Sequence, residues 1–262
     1  MSGVAVATPL VASALSGPAG EEILLKLEVL QPTGAFKLRG AANAVTAHVA
    51  AARTSGVVSV STGNHGRAVA YAARRLGIRV VICLSNLVPE GKAAAIAELG
   101  AEVRRIGRSQ DEAQREADRL IADHGMIGIS PFDDPLVVAG QGTIGLELLE
   151  VRPDLACIVI PLSGGGLAAG VALAAKSIRP DIRIVGVSMD RGAAMHDSIR
   201  AGHPVEVEEV PSLADSLGGG IGLDNRLTFA LCRALLDDIV LVTEQEIYDG
   251  MRALYAGDRL VA

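Results

Sequence analysis

Short β-branched runs alternate with Ala-rich amphipathic segments along most of the 262 residues. Val57 to Ser61 reads as a strand, Gly66 to Leu76 as a helix, Arg79 to Leu84 as a strand and Lys92 to Leu99 as a helix. The beat continues with a strand at Glu102 to Ile106 and a charged helix over Ser109 to His124, where Ser109 and Glu112 have capping-box spacing. A strand near Met126 to Ile129 and a helix near Gly142 to Glu150 follow. Then come a strand at Ala156 to Leu162, a helix to Lys176, a strand at Arg183 to Ser188, a helix near Ala193 to Ala201 and a strand at Asp238 to Thr243. Parallel strands need a crossover, and a helix is the compact way to make one. The alternation therefore predicts parallel sheets covered by helices.

Turn residues subdivide this pattern. Gly and Pro are dense at Asp133-Asp134-Pro135 and Gly140-Gln141-Gly142, which suggests a crossing between subdomains. Gly218-Gly219-Gly220, Gly222 and Asp224-Asn225 make a loop too glycine-rich for a simple connector; it is read either as backbone that closely approaches a ligand or as a surface loop. Leu155 to Ala175 is uncharged and long enough to span a bilayer, but Pro161 and Gly164-Gly165-Gly166 interrupt it, so strand, loop and helix are expected there.

Charged residues make up 21% of the chain and hydrophobic ones 50%, a balance that fits a packed globular protein and not a disordered one. The net charge of −6 and only six aromatic side chains argue against a dedicated nucleic-acid binder. Cys83, Cys157 and Cys232 are odd in number, widely spaced and mostly set in apolar runs, which reads as buried thiols in a reducing cytoplasm and not as a disulfide framework or zinc ligands. The first 20 residues carry no Lys or Arg, so no signal-peptide flank is expected.

Three features could carry chemistry. The chain has four lysines, Lys26, Lys37, Lys92 and Lys176, against twenty arginines. A lysine retained in such a chain can do what arginine cannot, which is to lose its proton and attack a carbonyl to form a Schiff base. Lys37 stands out, set between turn residues and a helical run with Phe36 beside it to exclude water. Ser61-Thr62-Gly63-Asn64-His65-Gly66 follows an apolar strand and opens a helix, so its amides and hydroxyls suit a carboxylate. His65 alone also reads as a core or helix-start histidine. Ser163-Gly164-Gly165-Gly166-Leu167 is a second strand-to-helix turn, whose glycines let backbone amides fold around a phosphate. A nicotinamide nucleotide fold could own such a turn, but neither G-x-G-x-x-G nor the P-loop lysine is present.

A lysine in a turn, a carboxylate cradle and a phosphate cradle are the parts that an amino-acid enzyme using pyridoxal 5'-phosphate needs. With Leu25-Lys26-Leu27-Glu28, the Gln31 to Gly40 run and Ala139-Gly140-Gln141-Gly142-Thr143, these motifs resemble, in order, those of the threonine dehydratase and serine racemase family. Ala214 to Arg226 and Pro131-Phe132-Asp133-Asp134 are most similar to hydroxyectoine-utilisation dehydratases. The resemblance implies an α/β chain of two parallel-sheet domains, in the fold type II (tryptophan synthase beta-like) architecture of pyridoxal-phosphate enzymes. It implies a small domain, residues 56–134, inserted into a larger cofactor-binding one made of 1–55 and 135–262. It also implies truncation, since family members continue with a further helix and a strand carrying a Ser-Gly-Gly motif.

Carried over residue by residue, the resemblance implies that Lys37 holds the cofactor as a Schiff base and acts as catalytic base. Phe36 would pack on the ring, Asn64 would bond the ring's 3-hydroxyl oxygen, and Gly218 would line the ring's edge. Gly164, Gly165, Gly166 and Leu167 would hold the phosphate, and Ser61, Thr62, Gly63, Asn64 and His65 the substrate carboxylate. Thr62 stands where serine racemases place a serine base, which points from racemisation toward β-elimination. No metal is expected, because Ser188 to Ala194 lacks the acidic pair serine racemases use. The implied activity is a dehydratase that converts a hydroxy amino acid, threonine-like, serine-like or hydroxyectoine-derived, to a 2-oxo acid and ammonia. Its partners would be that small substrate and a second copy of the chain, with no nucleic acid and no membrane. A cofactor-binding homologue impaired by loss of its C-terminal segment, and a β-replacement enzyme, are the alternatives.

Overall fold

The computed structural model describes residues 3–61 and 63–261. An antiparallel hairpin, β1 (Leu10–Ser16) and β2 (Glu22–Lys26), opens the chain. Next come α1 (Lys37–Ala47), α2 (Val49–Ser55), β3 (Val57–Val60), α3 (Asn64–Arg75), β4 (Val80–Leu84), α4 (Glu90–Ala97) and β5 (Glu102–Arg105). They are followed by α5 (Gln110–His124), β6 (Ile127–Gly128), α6 (Pro135–Val151), β7 (Cys157–Pro161), α7 (Gly166–Ile178) and β8 (Arg183–Met189). The last elements are α8 (Ala194–Ala201), α9 (Leu227–Leu235), β9 (Asp238–Val242) and α10 (Glu244–Asp258).

These elements form two compact units, Met1–Val6 with Leu30–Gln141 and Ala7–Val29 with Gly142–Ala262. The sequence reading began the inserted part at 56; contacts also gather 30–55 into this unit. The reason is packing: Leu38, Ala41, Ala42 and Val45 of α1 share a buried cluster with Ala68, Val69 and Ala72 of α3.

In the first unit four parallel strands lie in the order β5-β4-β3-β6. The register pairs Val57 with Val80 and Val58 with Val81, so alternate side chains leave on opposite faces. Val57, Val80, Ile82 and Leu84 join the α1 and α3 cluster. Val58, Val60, Val81 and Cys83 pack with Ala113, Ala117 and Leu120 of α5. Both faces are covered, which is why β3 and β4 are apolar at nearly every position. The expected capping box at Ser109 and Glu112 starts α5.

In the second unit β7, β8 and β9 are parallel, with Cys157 opposite Arg183 and Val185 opposite Asp238. The hairpin is tied to α10 by Asp258, which accepts from Ser13 Oγ at 2.7 Å and from Ala14 N at 2.6 Å.

One expected boundary is corrected. Helix α6 begins at Pro135, not near Gly142, because the Asp134 carboxylate accepts from the amides of Leu136 and Val137, and proline suits the first helical position. The glycines read as punctuation lie inside it. A Cβ on Gly140 would sit 2.6 Å from the Arg39 carbonyl oxygen, and one on Gly145 2.8 Å from that of Val171, so they let α6 approach α1 and α7 closely. Among the described residues no helix is long and apolar enough to cross a membrane; Cys83 and Cys232 are buried free thiols, but Cys157 is exposed and not buried as expected, because it lies at an outward-facing position of β7.

Candidate functional site

Lys37 is the first residue of α1, reached through the turn at Gly34, whose φ of 76° favours glycine. Its Nζ donates to the Pro131 carbonyl at 2.9 Å and lies 5.5 Å from the centre of the Phe36 ring. Burial pulls its pKa from 10.5 down to about 8. Lys26 and Lys176 each face a carboxylate instead, that of Glu147 and that of Asp237. At pH 7.5 a pKa of 8 leaves roughly a quarter of the amine neutral, against roughly a thousandth at the ordinary value. Lys37 is therefore able to act as a nucleophile or base near neutral pH.

The α3 N-terminus supplies the second group in this unit. Gly63 caps the helix, Asn64 opens it half-buried, and the Ser61 hydroxyl accepts from the Gly63 amide at 3.4 Å. Thr62 lies outside the described residues. Gly66 permits the tight approach, since a Cβ there would meet the Ser61 carbonyl oxygen at 2.6 Å. His65 is buried, with Nε2 3.2 Å from the Ile129 carbonyl, which also accepts from Ser59 Oγ at 2.7 Å. Because that carbonyl can only accept, Nε2 carries the proton, and Nδ1 is left as a buried lone pair with no partner. Burial, and then the Lys37 charge, push the His65 pKa down to about 3, so the ring stays neutral. Residues 129–131 thus form a carbonyl ledge receiving Ser59, His65 and Lys37. The sequence reading missed it, because backbone carbonyls have no residue signature.

The glycine turn belongs to the second unit. Gly164, Gly165 and Gly166 are buried, and Gly165 has φ 85° at the N-cap of α7. The amides of Gly164, Gly165, Gly166 and Leu167 have no acceptor among the described residues. Buried amides need one. A Cβ on Gly165 would be 2.7 Å from Met195 Cε and 3.0 Å from Cys232 Sγ, so only glycine fits. Gly218 closes a short 3-10 turn, Asp215–Leu217, in the same unit.

The structure therefore brings Phe36, Lys37 and His65 together, places Ser61, Gly63 and Asn64 at the opening of α3, and sets Gly164, Gly165, Gly166, Leu167 and Gly218 in the other unit. Pyridoxal phosphate requires an amine that can lose its proton and several donors for a dianion. The half-buried, deprotonatable Lys37 and the unpaired amides over 164–167 fit both requirements. Among the described residues no cluster of His, Cys, Asp and Glu could hold a metal ion.

Residues 2–262 match the family described as pyridoxal-phosphate dependent enzyme. The chain is 57% identical over 255 residues to a putative threonine dehydratase of Sinorhizobium fredii, covering 97% of this chain and 77% of that one. It is 41% identical over 250 residues to the L-threonine ammonia-lyase of Thermotoga maritima, covering 95% of this chain and 62% of that one. The structure of maize serine racemase superposes with a TM-score of 0.92 at 33% identity, covering 98% of this chain and 77% of that one.

Proposed function

The chain belongs to the pyridoxal-phosphate-dependent enzyme family, and from that premise we propose that it is a lyase eliminating water from a short β-hydroxy amino acid. L-threonine is the first substrate and L-serine the second; the products are a 2-oxo acid and ammonia. The bound cofactor supplies an electron sink that acidifies the Cα–H of an attached amino acid. Lys37 is the proton acceptor at Cα, because burial leaves its Nζ partly neutral near pH 7.5. The Pro131 carbonyl holds that nitrogen when it is free. The α3 N-terminus, Ser61 to His65, is assigned to the substrate carboxylate, and Asn64 and Phe36 to the cofactor ring. The amides of Gly164, Gly165, Gly166 and Leu167 are assigned to its phosphate, and Gly218 to the ring's edge.

The neutral His65 adds no charge to compete for the carboxylate, which leaves backbone amides and hydroxyls to bind it. Unpaired Cys83, Cys157 and Cys232 support a cytoplasmic setting.

The observation that carries the reading is a single lysine, half-buried against Phe36, with its pKa lowered into the working range. The test is ammonia and 2-oxo acid release by the purified chain with added pyridoxal phosphate. It is run on L-threonine, L-serine and a ring-opened hydroxyectoine derivative. Release from threonine is expected. A bound visible chromophore without release from any of the three would instead support a cofactor-binding homologue. A sulfide-dependent amino-acid product would support β-replacement.

A further inference from the structure

The glycine turn is held from behind by α9. Thr228 is fully buried, and its hydroxyl donates to the Gly164 carbonyl at 2.8 Å. That hydroxyl accepts from Asn225 Nδ2 at 2.8 Å; Asn225 Oδ1 lies farther from it, at 3.1 Å, so the hydroxyl's single proton goes to the nearer Gly164 carbonyl. Asn225, also buried, is fixed in turn: its Nδ2 donates to the Ile221 carbonyl at 3.1 Å and its Oδ1 accepts from the Phe229 amide at 2.9 Å. The next carbonyl, that of Gly165, accepts from the Ala169 amide at 2.8 Å and has the buried Cys232 Sγ at 3.6 Å.

In a trans peptide the carbonyl and the following amide point in opposite directions. Pinning the Gly164 oxygen toward α9 therefore aims the Gly165 amide away from α9. Pinning the Gly165 oxygen does the same for the Gly166 amide. Were α7 to begin one residue earlier, the Gly164 oxygen would accept from Ala168; it accepts from Thr228 instead, and Gly165 takes φ 85°. The result is a row of buried amides held in one direction before any anion arrives.

Resting on the phosphate assignment above, we propose that Thr228, oriented by Asn225, is a positioning residue for the anion cradle, presetting the Gly164–Gly165 peptide so that the amides of Gly165 and Gly166 converge on the cofactor's phosphate. Its influence is on the phosphate alone. Pyridoxal, which has the same aldehyde and ring but no phosphate, reports the other contacts.

The experiment titrates pyridoxal phosphate and pyridoxal separately into the cofactor-free full chain, read by visible absorption, for wild type, Thr228→Val, Thr228→Ser and Asn225→Ala. Valine keeps the shape of threonine but cannot donate. Thr228→Val should weaken pyridoxal phosphate about tenfold or more while leaving pyridoxal within about twofold, the scale of losing a bond to a charged group. Thr228→Ser should bind both like wild type, and Asn225→Ala should show a smaller, phosphate-selective loss. If Thr228→Val binds pyridoxal phosphate like wild type, or loses both ligands equally, the proposal is overturned. Equal loss in Thr228→Ser also overturns it. Should Thr228→Val fail to fold, Asn225→Ala decides by the same criterion. A wild type that does not prefer the phosphorylated ligand refutes the phosphate assignment itself, separately from any effect of the variants.

Discussion

Lys37 and Lys26 differ less in burial than in what they face: Lys26 meets a carboxylate, Lys37 the carbonyl of Pro131. Burial beside a neutral carbonyl leaves the Lys37 amine freer to lose its proton. Lys37→Ala should abolish the visible band of bound cofactor and lower 2-oxo acid formation by more than about a thousandfold, as expected when a covalent group and a base are removed together. Turnover retained within tenfold would contradict this. His65 gives a second prediction at this scale. Its folded pKa of about 3 lies below the unfolded 6.5, so the unfolded chain binds more protons between those values. Stability of the cofactor-free protein should therefore fall as pH drops from 6.5 toward 3, by no more than about 5 kcal/mol from this group. His65→Gln should flatten that limb in urea unfolding; an unchanged slope would show that carboxylates alone set it. A lysine just after a turn, opening a helix, and glycines after a strand were legible because local residue types fix them. The ledge at 129–131 and the Thr228 pin were not, since both depend on atoms far apart in the chain.

Among the elements, caps and close crossings are distinct sources of stability. Ser109 accepts from the Glu112 amide at 3.2 Å, and Ser109→Ala should cost about 1 kcal/mol by denaturant unfolding. Gly140→Ala should cost more, about 1–3 kcal/mol, although alanine is the better helix former, because the added methyl meets the Arg39 and Gly40 backbone at 2.6 Å. A stabilised Gly140→Ala protein would show that α1 and α6 can separate without penalty. The same contrast explains what the pattern revealed. The alternation of β3 through α5 was readable because both sheet faces are apolar. β1 is mostly exposed and shows no alternation to announce it, while α10 has an apolar stripe at Ile247, Met251, Leu254 and Tyr255 but no fully buried residue. The start of α10 did carry a signal, since Thr243 and Glu246 form the same capping box as Ser109 and Glu112.

At the scale of the molecule, two α/β units each hold part of the proposed chemistry: Lys37 and the opening of α3 in one, the glycine turn at 164–166 in the other. Family membership was legible from the order of the motifs, which local physics alone does not dictate. Choice of substrate was not, because threonine and serine differ by one methyl, worth about 1–3 kcal/mol in a fitted site. The proposed chemistry depends on one covalent attachment, at Lys37. The direct measurement is borohydride reduction of the chain after incubation with pyridoxal phosphate, followed by peptide mass mapping. A single pyridoxyl adduct is expected on the peptide containing Lys37, absent in Lys37→Ala. An adduct on Lys26, Lys92 or Lys176 with Lys37 unmodified would contradict it.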